Sequence, residues 1–216
     1  MKKISSKLLL LGFMGVTSNI ANATVITYSD LALFNAATVN NVLVEDFESV
    51  PAYPTVTTSL THNDITYTGL ATHNNVTVAS PGFTNFGIPG ATTTSILTGN
   101  GTDNVQIDFA LPMEAVGFDT YLNSWTYDAG GANVDVYGAS GLLSSFQHNH
   151  DFTQVGFLGI LADEDITRIV WTTTNGNLIN TGIDNVRLAD AVNVPEPGTL
   201  ALLALGLLGV RSRFKK

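Results

Sequence analysis

The stretch that most constrains the fold is "NVQIDFA", in which Val105, Ile107 and Phe109 alternate with Gln106 and Asp108. Side chains at every second position share one face only in a β-strand. The same period runs through "ITRIVWTTT", where Ile169 and Trp171 lie opposite Arg168 and Val170. Elsewhere, short runs rich in Val, Ile, Tyr, Phe and Thr are broken by Gly, Asn, Asp and Pro. They recur at roughly 8–12 residues, the spacing of a β-sandwich. Strands are expected at 25–28, 42–47, 65–67, 76–78, 95–97, 105–109, 115–121, 134–137, 142–146, 155–161, 166–173 and 183–188. "VDVYGASGLLSSF" reads as a hairpin turning at Gly138-Ala139-Ser140-Gly141. Helical periodicity is confined to one short segment, where Ser29-Asp30 can cap a turn holding Leu31, Leu33 and Phe34. Parallel strands need crossover helices, and none intervene. The expected class is all-β: an antiparallel β-sandwich with one short N-terminal helix.

Both ends differ from this body. "MKKISSKLLLLGFMGVTSNIANA" opens on Lys2, Lys3 and Lys7, continues through an apolar stretch from Leu8 to Val16, and closes on Ala21-Asn22-Ala23. Basic, apolar and small-x-small, in that order, make a secretory signal peptide over residues 1–23, with cleavage before Thr24. The other end is "VPEPGTLALLALGLLGVRSRFKK". Gly198 to Val210 holds no charge and no proline, and Leu and Ala favour helix. At about 1.5 Å per residue this run spans only about 20 Å, less than the roughly 30 Å hydrocarbon core. Arg211, Arg213, Lys215 and Lys216 follow it directly, and such charges stay on the cytoplasmic side. Their stems can snorkel and lengthen the span. Pro195 and Pro197 keep the preceding backbone extended. A short membrane helix with the body on the far side of the membrane is the expectation.

The charge split narrows the partners. Of 18 acids only Glu196 lies outside the body, and of 9 cations only Arg168 and Arg187 lie inside it, leaving 17 against 2 and a net −15. That sign excludes nucleic acid and disfavours anionic lipid. Divalent cations, cationic polymers and neutral glycans remain. With no cysteine, thiol catalysis and Cys-ligated metals are excluded.

Val194-Pro195-Glu196-Pro197-Gly198, the apolar run and the basic end together resemble the PEP-CTERM sorting signal of Gram-negative bacteria. That resemblance implies export, transient inner-membrane anchoring with the body in the periplasm, and recognition of Pro-Glu-Pro by an exosortase-type membrane protease. It also implies a role at the cell surface or in the extracellular matrix, with biofilm and exopolysaccharide. "VEDFES", "AVGFDTYLNS" and "TGIDNVRLAD" resemble pieces of the jelly-roll domains of exported PEP-CTERM proteins and meprin-type adhesion domains, which implies a jelly-roll-like sandwich. The expected division is a signal peptide at 1–23, a sandwich at 24–192 and a sorting signal at 193–216.

Three chemistries are weighed within the body. In adhesion-type jelly rolls an acid near the first strand meets one near the last at a calcium ion, which here implies Asp46 or Glu48 with Asp184; calcium takes six to eight oxygen ligands. Asp163-Glu164-Asp165 reads instead as a solvated turn. "YLNSWTYDAGG" offers Tyr121, Asn123, Trp125, Tyr127 and Asp128, with Trp125, Tyr127 and Asp128 the candidates for stacking and bonding a sugar. His148 and His150 read as exposed at the end of a hairpin. No nucleophile elbow is present. The reading is a non-catalytic surface or matrix protein; the alternatives are a carbohydrate-binding module and, behind it, a polysaccharide-active enzyme.

Overall fold

In a computed structural model the protein is described at residues 23–52, 55–70, 75–81, 94–99, 104–124, 131–149, 151, 154–174 and 179–192. The elements run β1 (Val25–Tyr28), α1 (Leu31–Ala37), β2 (Thr38–Glu45), β3 (Val56–Thr57), β4 (Ser59–His62), β5 (Ile65–Gly69), β6 (Val76–Ala79), β7 (Ile96–Gly99), β8 (Val105–Ser124), β9 (Ala132–Gly138), β10 (Gly141–His148), β11 (Gly156–Thr173) and β12 (Ile179–Ala191). The pairings between them are antiparallel.

Two long strands, β8 and β11, belong to both layers. The first half of β8 pairs with β5 and with the second half of β11, which carries β9 and β10 beyond it. The second half of β8 pairs with β12 and the first half of β11, flanked by β1, β2, β7, β6 and β3. Register shifts between Leu161 and Arg168 mark where the sheet bends. Strands that switch layers through bulges are how one hydrogen-bonded sheet folds into a sandwich. The burial pattern records the bend: odd residues Val105, Ile107 and Phe109 face the core before it, and even residues Val116, Phe118 and Leu122 after it. Phe118 meets Trp171 across the layers at 5.8 Å between ring centroids.

The expected pairs 105–109 with 115–121, and 155–161 with 166–173, are therefore single bent strands. Asp163-Glu164-Asp165 lies inside β11 rather than in a solvated turn. Asp163 accepts a bond from Thr24 N at 2.8 Å, and Glu164 accepts from Ser140 N and Oγ at 2.7 and 2.6 Å, fastening the β9–β10 turn.

The outer face of the second layer is covered by α1. Asp30 caps the helix, its Oδ1 accepting from Ala32 N and Leu33 N at 2.7 and 3.0 Å. The helix presses Phe34, fully buried, against Phe157, Ala115 and Ala189. Gly117 and Gly159 form its floor: a Cβ at Gly159 would lie 2.5 Å from Phe34 Cδ2, so only glycine admits the ring.

Candidate functional site

The densest polar group lies where β2 ends and the chain turns towards β3. Glu45 is buried at the end of β2. Its Oε1 accepts from Phe47 N at 2.7 Å; its Oε2 contacts His62 Nδ1 and accepts from Asn63 Nδ2 at 3.3 Å. Phe47 and Asn63 both have positive φ, 56° and 48°, so the two turns that meet at Glu45 are tightly wound. His62 Nε2 lies 3.4 Å from Ser49 Oγ. Hydroxyl, imidazole and carboxylate follow the order of an acyl-transfer relay. Asp46 and Glu48 closely precede Ser49 in the chain, however, and negative charge there opposes a developing oxyanion. The arrangement fastens the turn.

Beyond Ser49 the carboxylates of Glu48 and Asp184 converge on one hydroxyl. Thr94 Oγ1 lies 3.0 Å from Glu48 Oε1 and 2.7 Å from Asp184 Oδ2. Glu48 also accepts from Ser95 N at 2.8 Å and Ser95 Oγ at 3.1 Å. The backbone N–H of Ser95, chiefly, holds its carboxyl below the ordinary value. Asp184 is fully buried, and burial pushes its pKa up to about 7, with the charges of Asp119 and Glu48 adding to the shift. These facts agree. A threonine hydroxyl has one hydrogen and cannot donate fully to two carboxylates. With Asp184 protonated, the chain closes: Asp184 donates to Thr94, and Thr94 donates to Glu48.

Asn185 completes the group. Asp184 and Asp119 face each other across β12 and β8. Asn185 has φ 51° beside a register shift in β12, and its Nδ2 reaches back to Asp119 Oδ2 at 2.8 Å and Asp184 Oδ2 at 3.1 Å. Burial raises the pKa of Asp119 as well. Tyr67 points its hydroxyl into the core with no hydrogen-bond partner among the described residues. Burial pushes its phenol up, and the charges of Glu45 and Asp184 push it further.

Two of the three carboxylates expected at a cation, Glu48 and Asp184, are thus brought together. Asp46 is exposed and accepts from Glu48 N at 3.1 Å, a local turn bond. Among the described residues no group of three or more His, Cys, Asp or Glu side chains is arranged to hold a metal ion. Glu45, His62, Thr94, Ser95, Asp119 and Asn185 are the members that sequence reasoning missed. Trp125, Tyr127 and Asp128 lie outside the described residues, as do Ala21, Val194, Pro195, Glu196, Pro197, Gly198, Arg211, Arg213, Lys215 and Lys216. Ala23 is described, next to Thr24. Tyr121 is buried, so it offers no exposed ring to a sugar. His148 is not exposed: its Nε2 lies 3.0 Å from Thr120 Oγ1, and its ring packs 5.8 Å from that of Trp171.

Fold and site together define an all-β sandwich whose polar cluster secures turns. The particular assignment comes from the end of the chain, where the family model for the PEP-CTERM protein-sorting motif matches residues 193–216. The chain carries that motif, which marks it for export and for sorting at the membrane towards the cell surface. No curated protein matches the chain. Among solved structures, a variant of CBM29-2, a family 29 carbohydrate-binding module, is 13% identical, covering 74% of this chain and 99% of that one at TM-score 0.41. A second variant, complexed with cellulohexaose, is 13% identical over 76% of this chain and 100% of that one at TM-score 0.38. The enzymatically active domain of tailspike protein 4 of bacteriophage CBA120 is 13% identical over 81% of this chain and 20% of that one at TM-score 0.29.

Proposed function

We propose that residues 24–192 are a non-catalytic sandwich delivered outside the cell. Residues 1–23 are removed on export, and an exosortase-type membrane protease then cuts near Pro195–Gly198. The body acts at the cell surface or in the extracellular matrix, among biofilm polysaccharide. The observation that carries this reading is the sorting motif at 193–216, set directly after the last strand of a sandwich that ends at Ala191. The polar cluster supports a non-catalytic role, because its carboxylates are occupied by N–H and O–H donors of neighbouring turns.

Calcium is the cation proposed for this body. Glu48 and Asp184 would hold it with Thr94 Oγ1, giving up to the ion the hydroxyl bonds they now share. The ion would supply charge neutralisation and turn fixing. A carbohydrate-binding role, through Trp125, Tyr127 and Asp128, is the second proposal and rests on their sequence.

Intact mass of the form recovered outside the cell tests the first reading. The expected species lacks residues 1–23 and ends near Pro195–Gly198. An extracellular form that keeps the whole tail would overturn it.

A further inference from the structure

Two chain ends leave the sandwich side by side. In the second layer, Ile26 pairs with Leu161, Leu161 with Ala115, and Ala115 with Ala189. Following the antiparallel register from that row, Thr24 and Ala191 lie two residues further in the same direction. Three strand steps separate β1 from β12, about 14 Å at the usual spacing. The bend of β8, with Leu111, and the junction of α1 with β2 close this same pole. Val192 N donates to Ala37 O at 3.1 Å, so the chain stays attached to the body up to Val192.

The tether between Val192 and the apolar run is five residues of sequence, 193–197. Fully extended, it reaches about 18 Å at most. A body of this length has a radius of gyration of about 15 Å and is some 40 Å across. An enzyme embedded in the membrane that takes Pro195-Glu196-Pro197 into its cleft cannot avoid touching the pole from which the stalk emerges.

Apolar side chains stand exposed at and beside that pole: Leu111 is 63% exposed, Ile26 45%, Val39 45% and Val192 39%, and Leu33, about one turn back along α1 from Ala37, 62%; others, such as Val42, Leu43 and Leu142, lie elsewhere on the body. Val39 pairs with Asp190, one residue short of the end of β12. The bilayer itself is a poor partner, since the body carries a net −15 and Asp163 stands exposed at this end. We propose that this pole docks on the outward face of the processing protease, and that an apolar surface of that enzyme covers Leu33, Val39 and Val192 during cleavage. The proposal rests on the sorting reading above and adds to it a second recognition element on the folded body.

The test follows processing of the full-length precursor in membranes that contain the protease, read as the ratio of uncut to cut chain by intact mass. Leu33→Gln with Val39→Thr replaces two exposed apolar side chains while keeping helix and strand propensity. The expected result is cleavage slowed about tenfold, the rate equivalent of one lost apolar contact, with an unchanged melting temperature. In a second precursor, a ten-residue Gly/Ser spacer after Val192 should make the double variant and its parent cut at equal rates. Wild-type cleavage of the unspaced double variant overturns the docking surface. Glu196→Ala separates the two ideas: if it blocks cleavage while the double variant does not, the sorting motif stands and the docking pole falls. If Glu196→Ala is cut normally, the sorting reading itself fails.

Discussion

The pole where the chain ends emerge and the carboxylate cluster around Asp184 are opposite answers to the same sandwich. Ala191 lies seven residues after Asp184 in β12, about 23 Å along the strand. At the chain-end pole the interior is aromatic and closed, with Phe34 sealed over Gly117 and Gly159, while apolar side chains remain outside. At the cluster the reverse holds: the carboxylates of Glu45 and Asp184 are taken inside and bonded to turn donors, with the exposed Glu48 fastened beside them. The two regions thus differ in what they bury: an aromatic ring under the helix at the chain-end pole, carboxylates at the cluster.

The largest effect should come from breaking the closed side of the chain-end pole. Phe34→Ala empties the slot on the two glycines and removes the one side chain by which α1 is fully buried. Large aromatic truncations in a core cost about 3–5 kcal/mol. Chemical denaturation should show a loss of that order, with a matching drop in protection of β2, which follows the helix directly. A loss below about 1 kcal/mol would mean that the helix does not close this face.

A smaller effect, with a distinctive sign, is expected at the cluster. The folded-state pKa of Asp184, about 7, lies above the ordinary aspartate value of 3.8. Between those values the folded chain holds a proton that the unfolded chain has released, so stability is greatest on the acid side and falls as pH rises towards 7. Asp119 shifts in the same direction. The lowered pKa of Glu48 acts oppositely, adding stability that is lost only on acidification below its ordinary range. From pH 5 to pH 8 the net loss should be on the order of 2 kcal/mol. Asp184→Asn should flatten most of that slope. If calcium binds at Glu48 and Asp184, adding it should raise the melting temperature chiefly at the alkaline end. A variant with the parental slope would show that Asp184 is not the titrating group.

How far the sequence reached follows the same division. Period-two runs revealed the strands because one face of each is buried: Val105, Ile107 and Phe109 were legible one residue at a time. The bends in β8 and β11 were not, because a strand that changes layer inverts its own alternation, and 110–114 and 162–165 then read as turns. The meeting of Glu48 with Asp184 was anticipated through the jelly-roll resemblance. Its partners were not, since Thr94, Ser95, Asp119 and Asn185 reach the site through long-range pairing and a positive φ at Asn185, which leave no local pattern. Glu45 offered one overlooked signal: an acid in phase with the buried Phe47 two residues on. The sorting motif was fully legible, because it is a contiguous stretch of sequence, residues 193–216, that needs no long-range pairing to be read.

The smallest effect is the one that most sharpens the contrast between the two regions. Leu33 and Val39 are apolar yet contribute little to the fold, since Leu33 is mostly in water and nearly half of Val39 is. Leu33→Gln and Val39→Thr should each change stability by less than about 0.5 kcal/mol, the ordinary range for surface sites. Solubility of the mature body should rise slightly as exposed apolar area falls. Denaturation midpoints of the mature form measure the first, and light scattering at high concentration the second. A destabilisation near 2 kcal/mol at either position would assign that side chain to the sandwich core. The apolar surface at the chain-end pole would then be a by-product of folding, and the two poles would differ in charge alone.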